Sequence, residues 1–325
     1  MHKLKKCFTM TSMATLTWLG ASQAHTQELQ VVSTFSIISD FARNVGGERI
    51  ALTTLVGPDA NAHAYEPKPA DAIAVGNADL VLTNGLHFEG FIDRLIRATD
   101  RSARVIELTK GVKLLRNTEE HHSHEGRHRH DHGHDHDNPK DHAHHHHHGE
   151  YDPHAWQSVR NAQVYVNNIA DAFCAADEAG CQSYRANAKS YGEKLQALET
   201  DLRATVAEIP SSRRTVITPH DAFAYLGNEY GLEFLAPQSI SSESEASAAD
   251  MASLIQQIKA QEVSAIFLEN ISNPRLIQQI VNETGMKIGG KLYSDALSTE
   301  NGPAATYIDM MRHNVDTIRD AVLEH

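Results

Sequence analysis

Basic residues, cysteines and long apolar runs are all scarce in this chain of 325 residues. Lysine and arginine number 29 against 42 acidic residues, so the formal net charge is −13. This charge argues against nucleic acid as a partner, because nucleic-acid-binding domains carry a basic face. The sequence also lacks a G-x-x-x-x-G-K-[ST] loop, so we do not expect a nucleotide-hydrolysing subunit. With 41% hydrophobic residues, the chain can still fold around a core, and its length suits about two domains.

The apolar stretch near the N-terminus covers only residues 7–19. A membrane-spanning helix needs about 18 or more apolar residues, so this stretch is too short to be an anchor. Three lysines precede it, and a segment of the A-x-A type follows at 21–24. We therefore expect residues 1–24 to be a signal peptide that is cleaved near Ala24 on export to the periplasm. No cysteine lies at the cleavage point, which favours a free protein over a lipid-anchored one.

Cysteine is limited to three residues, and loss of the signal peptide would leave Cys174 and Cys181. In an oxidising compartment, two remaining thiols are expected to pair. A disulfide across this short loop would stabilise the fold by about 2–3 kcal/mol. A metal site with two thiolate ligands is the alternative, although no histidine lies nearby in the sequence.

Histidine, in contrast, is abundant. Of its 22 copies, 14 lie between His121 and His148, in a region (117–150) that is otherwise mostly Asp, Glu and Gly. Such a tract is typical of metal binding. Because it has almost no apolar side chains to pack, we expect a mobile loop. The loop either captures metal ions or acts as a solvated tether.

Strand-like and helix-like segments alternate through the rest of the mature chain, which predicts parallel sheets covered by helices. The second half repeats the first in outline, which suggests two related α/β lobes. Between them, one helical pattern extends over 182–210 and ends at Pro210. Its apolar positions recur at spacings of three and four: Tyr184, Ala188, Tyr191, Leu195, Leu198, Leu202, Val206 and Ile209. We therefore predict an N-terminal lobe (25–181), a rigid linker helix (182–210) and a C-terminal lobe (211–325), with little clamshell movement.

Four short segments each place a potential metal ligand after a strand or before a helix. They contain His63 (57–67, G-P-x-x-x-x-H-x-Y-E-P), His154 (152–156, D-P-H-x-W), His220 (219–223, P-H-D-A-F) and Asp295 (293–295, Y-S-D). In doubly wound sheets such positions gather at the carboxyl ends of the strands. Taken singly, each histidine could be a hydrogen-bonded cap, and Asp295 could be a helix N-cap.

Together, the segments resemble the cluster A-I or ZnuA-like solute-binding proteins of zinc and manganese ABC importers, over essentially the whole mature chain. The resemblance implies two lobes with a metal site in the cleft between them, and it implies His63, His154, His220 and Asp295 as ligands. It also implies a permease with a separate ATPase subunit as partner, and we expect a monomer. His220, at the third ligand position, and the pair Cys174 and Cys181 resemble those of the zinc-specific AztC branch. This resemblance implies an exported metallochaperone as a further partner.

Ligand chemistry favours Zn²⁺ as the bound ion. Three imidazoles and one carboxylate suit four-coordinate zinc, whereas manganese prefers more oxygen ligands. In the manganese members of the family, a carboxylate replaces the third histidine. Because imidazoles must be neutral to ligate, binding is expected to weaken below about pH 6.

Three alternatives to an importer component remain. A zinc hydrolase would need an open coordination position and a base; there is no H-E-x-x-H motif, and Glu66 is the only obvious base. A periplasmic zinc buffer without a transporter is the second alternative, and a surface adhesin is the third. His87, which also follows a buried strand, is either an additional ligand or a residue that supports the site by packing.

Overall fold

A computed structural model describes residues 28–99, 104–117, 149–238, 247–260 and 263–324. The predicted signal peptide and most of the His-rich region (118–148) lie outside these residues. Within the described part of the chain, no helix is both long and apolar enough to cross a membrane.

Four parallel strands form the first sheet, in the order β2-β1-β3-β4. The strands are β1 (Leu29–Phe35), β2 (Ile50–Val56), β3 (Leu80–Thr83) and β4 (Arg104–Glu107). Helices α1 (Ser36–Gly46), α2 (Pro69–Asn77) and α3 (Ile92–Arg97) connect them. Every residue of β3 is buried, as expected for a parallel strand that is covered on both faces.

The second sheet repeats this topology with the order β6-β5-β7-β8, again with parallel pairing. Its strands are β5 (Thr215–Ile217), β6 (Glu233–Leu235), β7 (Ala265–Glu269) and β8 (Ile288–Leu292). The helices of this half are α6 (Ala224–Tyr230), α7 (Ala248–Ala260), α8 (Pro274–Thr284) and α9 (Tyr307–Leu323). The prediction of two similar α/β lobes is therefore confirmed.

Two helices connect the sheets: α4 (Val159–Ala176) and the 27-residue α5 (Cys181–Ala207). At 1.5 Å per residue, α5 is a rod of about 40 Å. It packs against α1, α4 and α9, so it touches both halves of the molecule. A disulfide joins Cys174, near the end of α4, to Cys181, the first residue of α5. All eight apolar positions of the predicted helical pattern are buried.

Some boundaries differ from the predictions for physical reasons. The predicted helix 182–210 ends instead at Ala207, because a proline disfavours helical backbone at the residue before it, here Ile209. Strand β5 ends at Ile217, two residues before Pro219, which has no N–H for continued pairing. The domain boundaries given above remain a prediction.

Candidate metal site

The four predicted ligand residues come from four loops at the carboxyl ends of the two sheets. His63 lies between β2 and α2, and its backbone N–H donates to Oδ1 of Asn61 at 2.9 Å. His154 lies just before α4, where the carboxylate of Asp152 accepts its backbone N–H at 2.9 Å. His220 follows β5 and Asp295 follows β8. Each sheet-bearing half therefore supplies two of the four side chains.

These four side chains converge on one point. One potential ligand atom from each lies within 4.8 Å of all the others. The carboxylate of Asp295 is 3.2 Å from Nε2 of His63, 3.5 Å from that of His154 and 3.3 Å from that of His220. In a tetrahedral site with bonds of about 2.0–2.1 Å, neighbouring ligand atoms are about 3.3 Å apart. The donor set is thus compatible with a small divalent cation.

Burial makes this arrangement unusual. His154, His220 and Asp295 are fully buried, and His63 is 9% exposed. Among the described residues, the three Nε2 atoms and both oxygens of Asp295 make no hydrogen bond, although the Nε2 atoms lie 3.2–3.5 Å from these oxygens. Buried polar atoms nearly always have a partner. Five such atoms without a hydrogen bond around one point therefore indicate a binding site for a cation.

Two buried carboxylates contact the opposite nitrogens of the imidazoles. Nδ1 of His154 lies 2.8 Å from Oδ1 of Asp152, and Nδ1 of His220 lies 2.6 Å from Oε2 of Glu269. The same Glu269 accepts the backbone N–H of His220 at 3.2 Å and the hydroxyl of Ser294 at 2.8 Å. A carboxylate on Nδ1 leaves Nε2 free to ligate and makes it more basic.

Electrostatics differ among the three imidazoles. Burial is the largest influence on His63 and holds its pKa below the ordinary value, despite the nearby Asp295. Burial also acts on His154, but there the carboxylates of Asp295 and Asp152 outweigh it and raise the pKa. Glu269 and Asp295 likewise overcome burial and raise the pKa of His220 well above its usual range. Although burial opposes ionisation of Asp295, His154 and His220 keep its pKa well below the ordinary value.

Aromatic rings form one wall of the site. The ring of Phe88 lies 4.7 Å from that of His63 and 5.8 Å from that of His154, between centroids. Trp156 packs against His154 at 5.2 Å, and its indole N–H donates to the backbone oxygen of Ser294 at 3.0 Å. These contacts exclude water and limit the rotation of the imidazoles.

His87 is exposed and does not belong to the cluster of four. It lines a cavity of about 700 Å³ beside Gly149. Its neighbour Phe88 is the residue that packs against the site. Glu66 is also exposed.

Sequence reasoning missed two residues of the site. Asp152 was visible in the D-P-H motif, where its spacing of two from His154 allows a contact with that ring. Glu269 is a charged residue at the end of a buried strand, and this position is the feature by which the sequence could have indicated it. Its pairing with His220 depends on the fold, because 49 residues separate them.

A buried set of metal-type donors between two parallel-sheet lobes is the arrangement expected of a solute-binding protein for a metal ion. A family model described as "ZnuA: Zinc-uptake complex component A periplasmic" matches residues 31–321. The chain therefore belongs to the ZnuA family.

Known relatives differ in the metal that their names state. The manganese-binding lipoprotein MntA of Halalkalibacterium halodurans is 32% identical over 302 residues, which cover 92% of this chain and 91% of the relative. The manganese ABC transporter substrate-binding lipoprotein PsaA of Streptococcus anginosus is 27% identical over 91% of this chain and 90% of its own length. The structure of the periplasmic zinc-binding protein TroA from Treponema pallidum is also similar, with a TM-score of 0.77 at 27% identity, covering 91% of this chain and 99% of TroA.

Proposed function

We propose that this protein binds one Zn²⁺ ion through His63, His154, His220 and Asp295 and delivers it to an ABC importer. The observation that carries the proposal is the cluster of buried donor atoms without hydrogen bonds. An unpaired buried polar group is costly, and a bound cation would satisfy all four side chains at once. Four protein ligands also fill a tetrahedral shell, which supports a carrier rather than a hydrolase.

Zinc is favoured over manganese by the donor set. Three nitrogens and one carboxylate are typical of zinc, whereas Mn²⁺ prefers carboxylate, carbonyl and water oxygens. Manganese is nevertheless the second candidate, because MntA and PsaA are named for it.

Delivery to an importer is supported by the family description, which names an uptake complex and the periplasm. The partners would be a membrane permease and a separate ATPase subunit. Export agrees with the disulfide between Cys174 and Cys181, because such bonds persist in oxidising compartments. We assign the His-rich region (118–148) an auxiliary role in capturing zinc or accepting it from a metallochaperone.

Competition with a chelator tests the proposal. The mature protein, a deletion of 119–148 and His220→Ala would be titrated with Zn²⁺ and with Mn²⁺. We expect one tight zinc site that survives the deletion, is lost in His220→Ala and discriminates against manganese. Tight zinc binding that is lost on deletion of 119–148 and is unchanged in His220→Ala would instead identify a His-rich zinc buffer. Tighter binding of Mn²⁺ than of Zn²⁺ would overturn the metal assignment.

A subsequent uptake experiment separates the importer component from a buffer. Zinc accumulation at low external zinc would be measured in cells with and without the permease, each with and without this protein. We expect the protein to raise uptake only where the permease is present. An equal effect in both backgrounds would contradict delivery to an importer.

A further inference from the structure

Asp59 lies at the exposed rim of the cleft, in the loop that carries His63. It follows β2 by three residues and precedes His63 by four. Its φ of 54° lies in the left-handed region, where a residue other than glycine is uncommon and Asp and Asn are the best tolerated. Such a conformation persists only where the surrounding contacts hold it.

Three contacts to the other lobe hold Asp59 in place. Its backbone N–H donates to the oxygen of Leu297 at 2.9 Å. Its Oδ1 accepts from Nδ2 of Asn270 at 3.1 Å, and its Oδ2 accepts from the backbone N–H of Thr299 at 3.3 Å. Each carboxylate oxygen thus faces a different donor. A carboxylate satisfies both, whereas an amide of the same size offers only one accepting oxygen.

The partners of Asp59 lie close in sequence to residues of the metal site. Asn270 directly follows Glu269, the carboxylate in contact with His220. Leu297 and Thr299 lie two and four residues after Asp295. The side chain of Asp59 therefore connects the loop of His63 to the loop of Asp295 and to the residue that follows Glu269.

His63 has particular need of such a connection. It is the only one of the four proposed ligands that retains exposure, at 9%, so the way out for a bound ion passes its loop. Movement of this loop away from the other lobe would separate His63 from Asp295. Contacts that oppose this movement would slow the departure of the metal.

We propose that Asp59 is a positioning residue that fastens the His63 loop across the cleft and thereby sets the rate of metal release. The inference rests on the proposed function, since it requires a metal ion at the four residues. It extends that function by assigning control of release to a residue outside the ligand set.

Variants at Asp59 separate the contribution of its side chain from that of its backbone conformation. Asp59→Gly keeps the left-handed backbone without strain and removes both carboxylate contacts. Asp59→Asn tolerates the same backbone and retains one accepting oxygen. Because Asp59→Gly loses two hydrogen bonds, we expect it to raise the zinc dissociation rate by about fivefold or more. Asp59→Asn should give a smaller increase, and both should still bind one ion.

Zinc release would be followed after rapid mixing of each zinc-loaded protein with excess chelator, together with the thermal midpoint of the metal-free form. Asp79→Ala is the matched control, because Asp79 also accepts a backbone N–H, that of Gln30 at 2.8 Å, but at the amino end of its sheet. It should affect stability without changing release. The double variant Asp59→Gly/Asn270→Ala should release zinc more slowly than the product of the two single effects, because each single change already breaks the contact between Asp59 and Asn270.

The outcomes distinguish the two proposals. A wild-type protein that binds no stoichiometric ion would overturn the proposed function. If wild type binds one ion and Asp59→Gly releases it at the wild-type rate, only the present inference fails. It also fails if Asp79→Ala accelerates release as much as Asp59→Gly does.

Discussion

At the scale of single residues, the site depends on carboxylates that do not themselves belong to the proposed ligand set. Asp152 and Glu269 are buried, and each contacts the Nδ1 atom of one imidazole. An imidazole without such a partner can rotate or present a protonated Nε2. Affinity for the metal should therefore depend on these two residues as well as on the ligands.

Glu269→Gln tests this dependence. The amide has the same size but cannot match the charge of the carboxylate beside His220, so we expect zinc affinity to fall by about tenfold or more with the stoichiometry unchanged. Chelator competition measures the change. Glu66→Gln is the matched control, because Glu66 is exposed and should not affect affinity. Equal affinity in Glu269→Gln and wild type would mean that the contact with His220 does not tune the site.

The pH dependence of binding follows from the directions of the histidine pKa values. The metal-free site raises the pKa of His154 and of His220, so protons compete with zinc at higher pH than for an ordinary histidine. Affinity should be greatest above these raised values and should fall as pH decreases through them. The decline then begins above the ordinary histidine value of about 6.5, rather than at about pH 6 as expected from sequence.

Titrations from pH 8.5 to pH 5 in buffers of different ionisation enthalpy would measure both the affinity and the protons released. We expect release of protons on zinc binding near pH 7. Affinity that stays constant across this range, with no proton release, would contradict a site of three histidines.

The four proposed ligands were chosen from the sequence because the motifs around them together resemble one family, each motif lying at the end of a strand or the start of a helix. Their convergence was a prediction from the geometry of parallel sheets. The contact of Glu269 with His220 was not predictable in the same way, because it joins the ends of two neighbouring strands, β7 and β5, that are distant in the chain. The connection from Asp59 to Asn270 spans 211 residues and likewise depends on how the lobes meet.

At the scale of secondary structure, prediction was most successful where one period continued over many residues. Seven of the eight apolar positions of the predicted pattern lie in helix α5, and all eight are buried. Helices α4 and α9 were not assigned individually, although each has a buried apolar face and begins at a side-chain N-cap, Ser158 and Thr306 respectively. Strand β8 gave little signal, because it contains two glycines, and its pairing with β7 includes an irregularity.

The disulfide between α4 and α5 should contribute stability without affecting the metal site. The 18 residues of α4 place about 27 Å between its start, next to the His154 segment, and its end near Cys174. Cys174→Ser/Cys181→Ser should therefore lower the free energy of unfolding by about 2–3 kcal/mol, from the lost constraint on the unfolded chain. Zinc affinity should remain that of wild type.

Urea unfolding of the metal-free proteins would measure the free energy of unfolding, and chelator competition would measure zinc affinity. Wild type treated with a reductant provides the matched control, since it breaks the same bond without a substitution. A loss of zinc affinity in the double variant would show that the α4–α5 junction is coupled to the site.

At the scale of the whole molecule, contacts that do not involve the metal join the lobes. The hydroxyl of Tyr307, in α9, donates to the backbone oxygen of Trp156 at 2.7 Å. The buried carboxylate of Asp40, in α1, accepts from the hydroxyl of Tyr191 and from the backbone N–H of Tyr307. Burial raises the pKa of Asp40, which is consistent with its place inside this junction. Lobes held in this way should not swing apart when the metal leaves.

Hydrogen exchange, compared with and without zinc, tests this rigidity over the whole chain. We expect zinc to slow exchange in the loops that carry the four proposed ligands (57–67, 152–158, 218–223 and 293–299), because it ties them to one ion. Exchange along α5 should not change, since we expect its buried face to pack in the same way with and without the metal. Increased exchange in the metal-free form of α5 and at the start of α9 would instead reveal a hinge between the lobes. In that case release would require domain opening, and Asp59 would be only one of several contacts that break.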